Sequence, residues 1–212
     1  MTEAHRDAVI KEGQRPVTLI LLIVCAALVS LSVSPNPYGV LGALFGCLAL
    51  MIAYVDSRTF IIPDWLTGAG LLLGLASAVA LRAQYPIEAL QDACLRGFVV
   101  ASIFFGLRWL YRMLRGRQGI GLGDVKLAAV AGVWLDWPMI PVAIELACAG
   151  AICVHMFRQV TLRRRIRATG MVPFGLFFAP AIWAGWVLQA ALLNDLFAWV
   201  GGEFSGLATG WH

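Results

Sequence analysis

The chain has 212 residues; 60% are hydrophobic, only 13% are charged, and the mean hydropathy is +0.82. A soluble domain carries about a quarter charged residues, so this composition excludes an ordinary soluble protein and predicts an integral membrane protein. The net charge of +4 does not indicate nucleic acid, because the basic residues sit in short loops between apolar runs, the pattern of membrane orientation.

Residues 1–15 are polar, carry Arg6, Lys11 and Arg15, and read as a short cytoplasmic segment. A first span covers 17–34; it resembles a signal anchor but is read as a retained helix, because further spans follow. After the turn Ser34-Pro35-Asn36-Pro37, a second span covers 38–55 and ends at Asp56. Its small residues Gly39, Gly42, Ala43 and Gly46 permit close helix packing.

A polar passage runs from Asp56 to Asp64. Pro63 forces the preceding residue out of helical geometry, and Asp64 is placed to cap a third span over 65–82. Residues 83–96 read as a mixed loop, and a fourth span covers 97–113. Arg108 lies within it and is expected to snorkel toward the interface or to pair with Glu145.

Next comes Gly119-Ile120-Gly121-Leu122-Gly123-Asp124-Val125-Lys126, in which three alternating glycines lead into an aspartate. The apolar run 124–135 behind it is short: twelve residues rise about 18 Å against a hydrocarbon core of about 30 Å. Either the helix continues past Pro138, or Asp124 sits below the headgroups in a pocket lined by irregular glycine backbone. A sixth span covers 139–157 and contains Glu145; a basic run follows over 158–168. Gly170-Met171-Val172-Pro173-Phe174-Gly175 opens a last span ending near Leu193, and 194–212 reads as a Gly-rich, non-cytoplasmic tail. The fold expected is therefore all-α and polytopic, with six to seven transmembrane helices in one membrane-embedded domain over 1–212.

The sixteen Lys and Arg residues set the orientation. With a cytoplasmic N-terminus and alternating spans, only Arg82 and Arg96 fall outside and Arg108 within a span; all others are cytoplasmic. This puts Asp56 and Asp124 on the same side.

Ionisable residues at membrane depth are functional candidates by default. Two carboxylates brought together cannot both ionise easily, and they share a proton near working pH. The charged member then takes a proton from water while the neutral one polarises a carbonyl. Other readings compete. Asp124 alone could be a helix cap. Asp56 resists that reading, because a carboxylate at a helix C-terminus meets the negative end of the dipole. Glu145 could line a cation pathway with Asp124, which would make the chain a carrier or channel. The five cysteines form no Cys-x-x-Cys pair, and the four in apolar runs read as buried small hydrophobes. The three histidines do not cluster, so neither metal nor cofactor is expected. The eight tryptophans suit interface belts, and the basic run suits contact with lipid headgroups.

At these residues the sequence resembles the type IV prepilin peptidases, polytopic bacterial aspartic proteases. Asp56, followed by Ile62-Pro63-Asp64, is similar to the family's first motif. Gly121-Leu122-Gly123-Asp124 is similar to its Gly-x-Gly-Asp motif, and Val172-Pro173-Phe174-Gly175 to a third. The resemblance implies that Asp56 and Asp124 are catalytic and that Gly121 and Gly123 shape the active-site loop. It implies cleavage of a short basic leader, after a glycine, from a prepilin or pseudopilin at the cytoplasmic face of the inner membrane. Lys126 and Arg58 are expected to tune the dyad, from their closeness in sequence. Longer family members carry paired N-terminal Cys-x-x-Cys motifs and also N-methylate the trimmed pilin; this sequence, without those pairs, reads as the short form.

Overall fold

A computed structural model describes residues 3–34, 37–116, 119–162 and 173–208, with side chains over 18–34, 37–116, 119–157, 161 and 173–193. The described residues are helical and contain no strand. In chain order they form α1 (Glu3–Val33), α2 (Tyr38–Thr59), α3 (Asp64–Leu81), α4 (Pro86–Arg115), α5 (Leu122–Trp134), α6 (Met139–Leu162) and α7 (Gly175–Ala208). Five stretches are long and apolar enough to cross a membrane: Tyr38–Thr59, Asp64–Leu81, Pro86–Arg115, Met139–Phe157 and Gly175–Leu193. Thr18–Val33 is a shorter apolar stretch. The chain is a multi-pass membrane protein.

Several boundaries differ from those expected. The polar N-terminal segment is, from Glu3, the start of α1 rather than a separate piece. The loop expected over 83–96 is helical from Pro86 onward. Glu88, Asp92 and Arg96 interrupt the apolar run there, yet Ala, Leu, Gln, Glu and Arg are good helix formers and proline suits the first helical position. Helix α2 does not stop at Asp56 but runs a further turn to Thr59. Phe60 ends it in the left-handed region, at φ 55°, where its N–H bonds the Asp56 carbonyl at 3.0 Å. Helix α7 continues through the expected tail to Ala208. Much of the basic run (163–168) and Val172 lie outside the described residues.

The 13-residue α5 is the centre of the bundle, with eight buried residues from Val125 to Trp134. It packs against α3, α4, α6 and α7. Close approach to α4 depends on Gly132, because a Cβ there would lie 2.5 Å from the Arg96 carbonyl oxygen. The expected small-residue face of α2 lies against α7: Gly42 lies under the Trp186 ring and Gly46 against Trp183. Trp134 and Trp186 are therefore buried in the core rather than set in a belt, and Trp183 packs against it. Trp134 stacks on Phe45 with centroids 4.1 Å apart, meets Trp186 edge-on, and donates its indole N–H to the Gly70 carbonyl. The four cysteines of the apolar runs also differ from expectation: Cys25, Cys148 and Cys153 lie on the outer surface and Cys47 is half-buried.

Candidate active site

Three helix ends meet at one end of the bundle. Asp56, in the last turn of α2, is 4% exposed and the sole buried carboxylate among the described residues. Its Oδ2 accepts the Leu176 N–H at 2.9 Å, and the Gly175 N–H also donates to it. Those amides belong to the first turn of α7, where backbone N–H groups have no partner within the helix. The positive end of the α7 dipole thus offsets the unfavourable position of Asp56 at the end of α2. Here the third motif acquires a physical role. Pro173 and Phe174 lead the chain into α7, and Phe174 packs on Phe178 with centroids 5.1 Å apart. Gly175 leaves room for the carboxylate, because a Cβ would lie 3.0 Å from Asp56 Oδ2.

Asp124 is the third residue of α5, not its cap. Gly121 is the N-cap, and the half-buried Asp124 side chain folds back so that its Oδ2 accepts the Gly121 N–H at 3.1 Å. Both carboxylates therefore rest on the N-terminal amides of a helix. They lie close enough for the charge of Asp56 to act on Asp124. Between their supports sits Ile62, buried and held extended by Pro63 behind it. A Cβ on Gly123 would lie 3.2 Å from Ile62 Cβ, and one on Gly175 would lie 2.7 Å from Ile62 Cδ1. One isoleucine thus spaces the start of α5 from the start of α7.

The cations are arranged otherwise than sequence proximity suggests. Lys126 forms an ion pair with Asp64, the first residue of α3, which makes no side-chain capping bond. Arg58 lies over the Tyr54 ring, 5.2 Å from its centroid. Among the described residues, the cation whose charge reaches Asp124 is Arg108 of α4, and its guanidinium also donates to the Ile120 carbonyl in the glycine loop. Its place inside an apolar run was the signal for it, but the sequence gives no means of telling a loop contact from snorkelling. Glu145 is exposed on α6, which does not touch α4, so it neither pairs with Arg108 nor joins Asp124. That removes the acidic pathway on which the carrier reading depended. Among the described residues no three His, Cys, Asp or Glu side chains gather that could hold a metal ion.

Two carboxylates within electrostatic range, one buried and one half-buried, held by backbone amides at one end of a membrane bundle, define an intramembrane or membrane-edge dyad suited to acid–base work. Comparison with known proteins gives the family. Residues 43–156 match the type IV leader peptidase family. The chain is 31% identical over 159 residues to the prepilin leader peptidase/N-methyltransferase of Escherichia coli K12, covering 74% of this chain and 69% of that protein. It is 35% identical over 150 residues to the prepilin leader peptidase/N-methyltransferase of Burkholderia pseudomallei 1026b, of which it spans 45%. It is 30% identical over 138 residues to leader peptidase HopD of Escherichia coli, covering 65% of this chain and 86% of HopD. No solved structure gives a significant match. The chain belongs to the type IV leader peptidase family, and it is a membrane-embedded protease of that family.

Proposed function

We propose that the chain removes the short basic leader of prepilin or pseudopilin substrates, with Asp56 and Asp124 as the catalytic pair. The observation that carries this reading is the burial of Asp56 on the α7 amides within reach of the charge of Asp124. A bundle has no structural need for two like charges at one end, whereas aspartic-type peptide hydrolysis uses such a pair.

In the reaction, the ionised carboxylate takes a proton from water, and the water oxygen bonds to the scissile carbonyl carbon. The protonated partner donates its hydrogen bond to the carbonyl oxygen, which takes up negative charge. Collapse of the tetrahedral intermediate breaks the C–N bond, and the proton taken from water passes to the leaving amine. The amides that hold each aspartate fix its orientation. The glycine loop at 119–121 is open or half-open at the surface, which suits the approach of an extended peptide backbone.

The substrate's basic leader fits a cytoplasmic site, the side on which charge counting places both aspartates, and the host membrane would be the bacterial inner membrane. The test is cleavage of a prepilin-like substrate, with a basic leader ending in glycine, by protein in native membranes. Asp56→Asn and Asp124→Asn should each abolish cleavage while the protein still inserts. Retained cleavage in either variant would overturn the dyad.

A further inference from the structure

The glycine loop before α5 is attached to α4 at two points. The Arg108 guanidinium donates to the Ile120 carbonyl, and Gly119 lies so close to the Tyr111 ring that a Cβ would sit 2.5 Å from Cδ1. Arg108 and Tyr111 are three residues apart and share one face of α4. The same guanidinium is near enough for its charge to act on Asp124. Ile120 directly precedes Gly121, whose N–H holds the Asp124 carboxylate. A continuous path thus runs from the α4 cation through the loop backbone to the second aspartate.

We propose that Arg108 is a positioning residue for the second catalytic carboxylate: it clamps the glycine loop through the Ile120 carbonyl and supplies the positive charge facing Asp124. The inference rests on the reading of Asp124 as catalytic. The two functions are separable by chemistry. A planar guanidinium fork can bond a fixed carbonyl and face a carboxylate at once; an ammonium keeps the charge without that geometry. A glutamine keeps hydrogen-bonding capacity without the charge. Among the described residues, the charged groups that act on Asp124 are Asp56 from α2 and Arg108 from α4, whereas Lys126 is taken up by Asp64 of α3. Over residues 175–193, α7 carries no charged side chain, and its amides hold Asp56.

The test measures kcat, KM and the pH profile of kcat/KM for Arg108→Gln and Arg108→Lys, alongside Asp124→Asn, in membranes where insertion is verified. Hydrogen exchange across 119–123 is followed on the same proteins. For Arg108→Gln we expect kcat to fall about 10- to 100-fold with KM within about 3-fold, a loss of transition-state organisation rather than binding. Loss of the facing positive charge disfavours the ionised dyad, so the acid limb moves to higher pH by about one unit. For Arg108→Lys the acid limb stays in place while loop exchange rises. A wild-type rate and an unmoved acid limb in inserted Arg108→Gln would overturn the proposal. So would an acid limb in inserted Arg108→Lys that moves to higher pH by about one unit relative to wild type; this arm needs no folded glutamine variant. Activity in Asp124→Asn would instead sink the catalytic assignment, which separates the two failures.

Discussion

The two ends of this bundle use charge in opposite ways. At the end away from the aspartates, the buried Arg96 of α4 donates to the Gly132 carbonyl at 3.2 Å and faces Asp136 across 3.6 Å. The Asp136 N–H in turn donates to Gln189 of α7 at 2.9 Å. Opposite charges meet there, each has a partner, and α4, α5 and α7 are tied together. At the other end, about 18 Å along α4 at 1.5 Å per residue, two like charges are gathered on backbone amides and the nearby cation is bonded to a carbonyl. Like charges brought together raise each other's energy rather than tie helices to one another. The first end reads as construction and the second as chemistry.

Mutation can break or sharpen that contrast. The largest effect should come from Asp56→Asn or Asp124→Asn, with kcat reduced about 10³- to 10⁴-fold or more by analogy with other acid–base constellations, read by leader cleavage in membranes. The wild-type profile should be bell-shaped, falling at low pH where both carboxylates are protonated and at high pH where both are ionised. A profile flat over pH 4–9 on the order of the wild-type maximum would remove the shared proton from the mechanism. Gly175→Ala comes next. Its Cβ would press on Ile62 and on Asp56 Oδ2, and a displacement of about 1 Å at a catalytic group costs about 10²-fold in rate; kinetics on inserted protein decide it.

Gly132→Ala tests the other end. Its Cβ would meet the Arg96 carbonyl at 2.5 Å, an overpacking that should destabilise the fold by about 1–3 kcal/mol. Thermal melts in detergent should drop while the turnover of the folded fraction stays near wild type. Turnover that collapses with no loss of stability would erase the distinction between the ends. The smallest effect belongs to Lys126→Met. Its ion pair with Asp64 is open, the side chains being 44% and 79% exposed, and such pairs contribute about 0–1 kcal/mol. Activity within about 3-fold of wild type is expected.

The sequence made the bundle legible through its apolar runs, and both aspartates through the anomaly of charge at membrane depth. What it could not reveal was set by contacts distant in the chain. Asp56 is stabilised by an amide 120 residues away, so its position at the end of α2 looked unfavourable when read alone. Lys126 and Arg58 looked like dyad partners by numbering, yet helix geometry turns them to Asp64 and Tyr54. The helical stretch 86–96 was hidden by three charges that hydropathy penalises and helix propensity tolerates. Ile62 gave no signal, because its role depends on two glycines in different helices.

The shortness of α5 bears on how the protein can be reached by small molecules. Its 13 residues rise about 20 Å, but its neighbours wall it off, so lipid does not have to accommodate the deficit. The loop at 119–121 leads into it and is open at the surface at its two glycines. A bilayer-impermeant peptidomimetic carrying a transition-state hydroxyl is therefore expected to meet the protein at this loop without partitioning into lipid. In sealed vesicles, the compartment from which such a compound inhibits would report the sidedness of the enzyme directly.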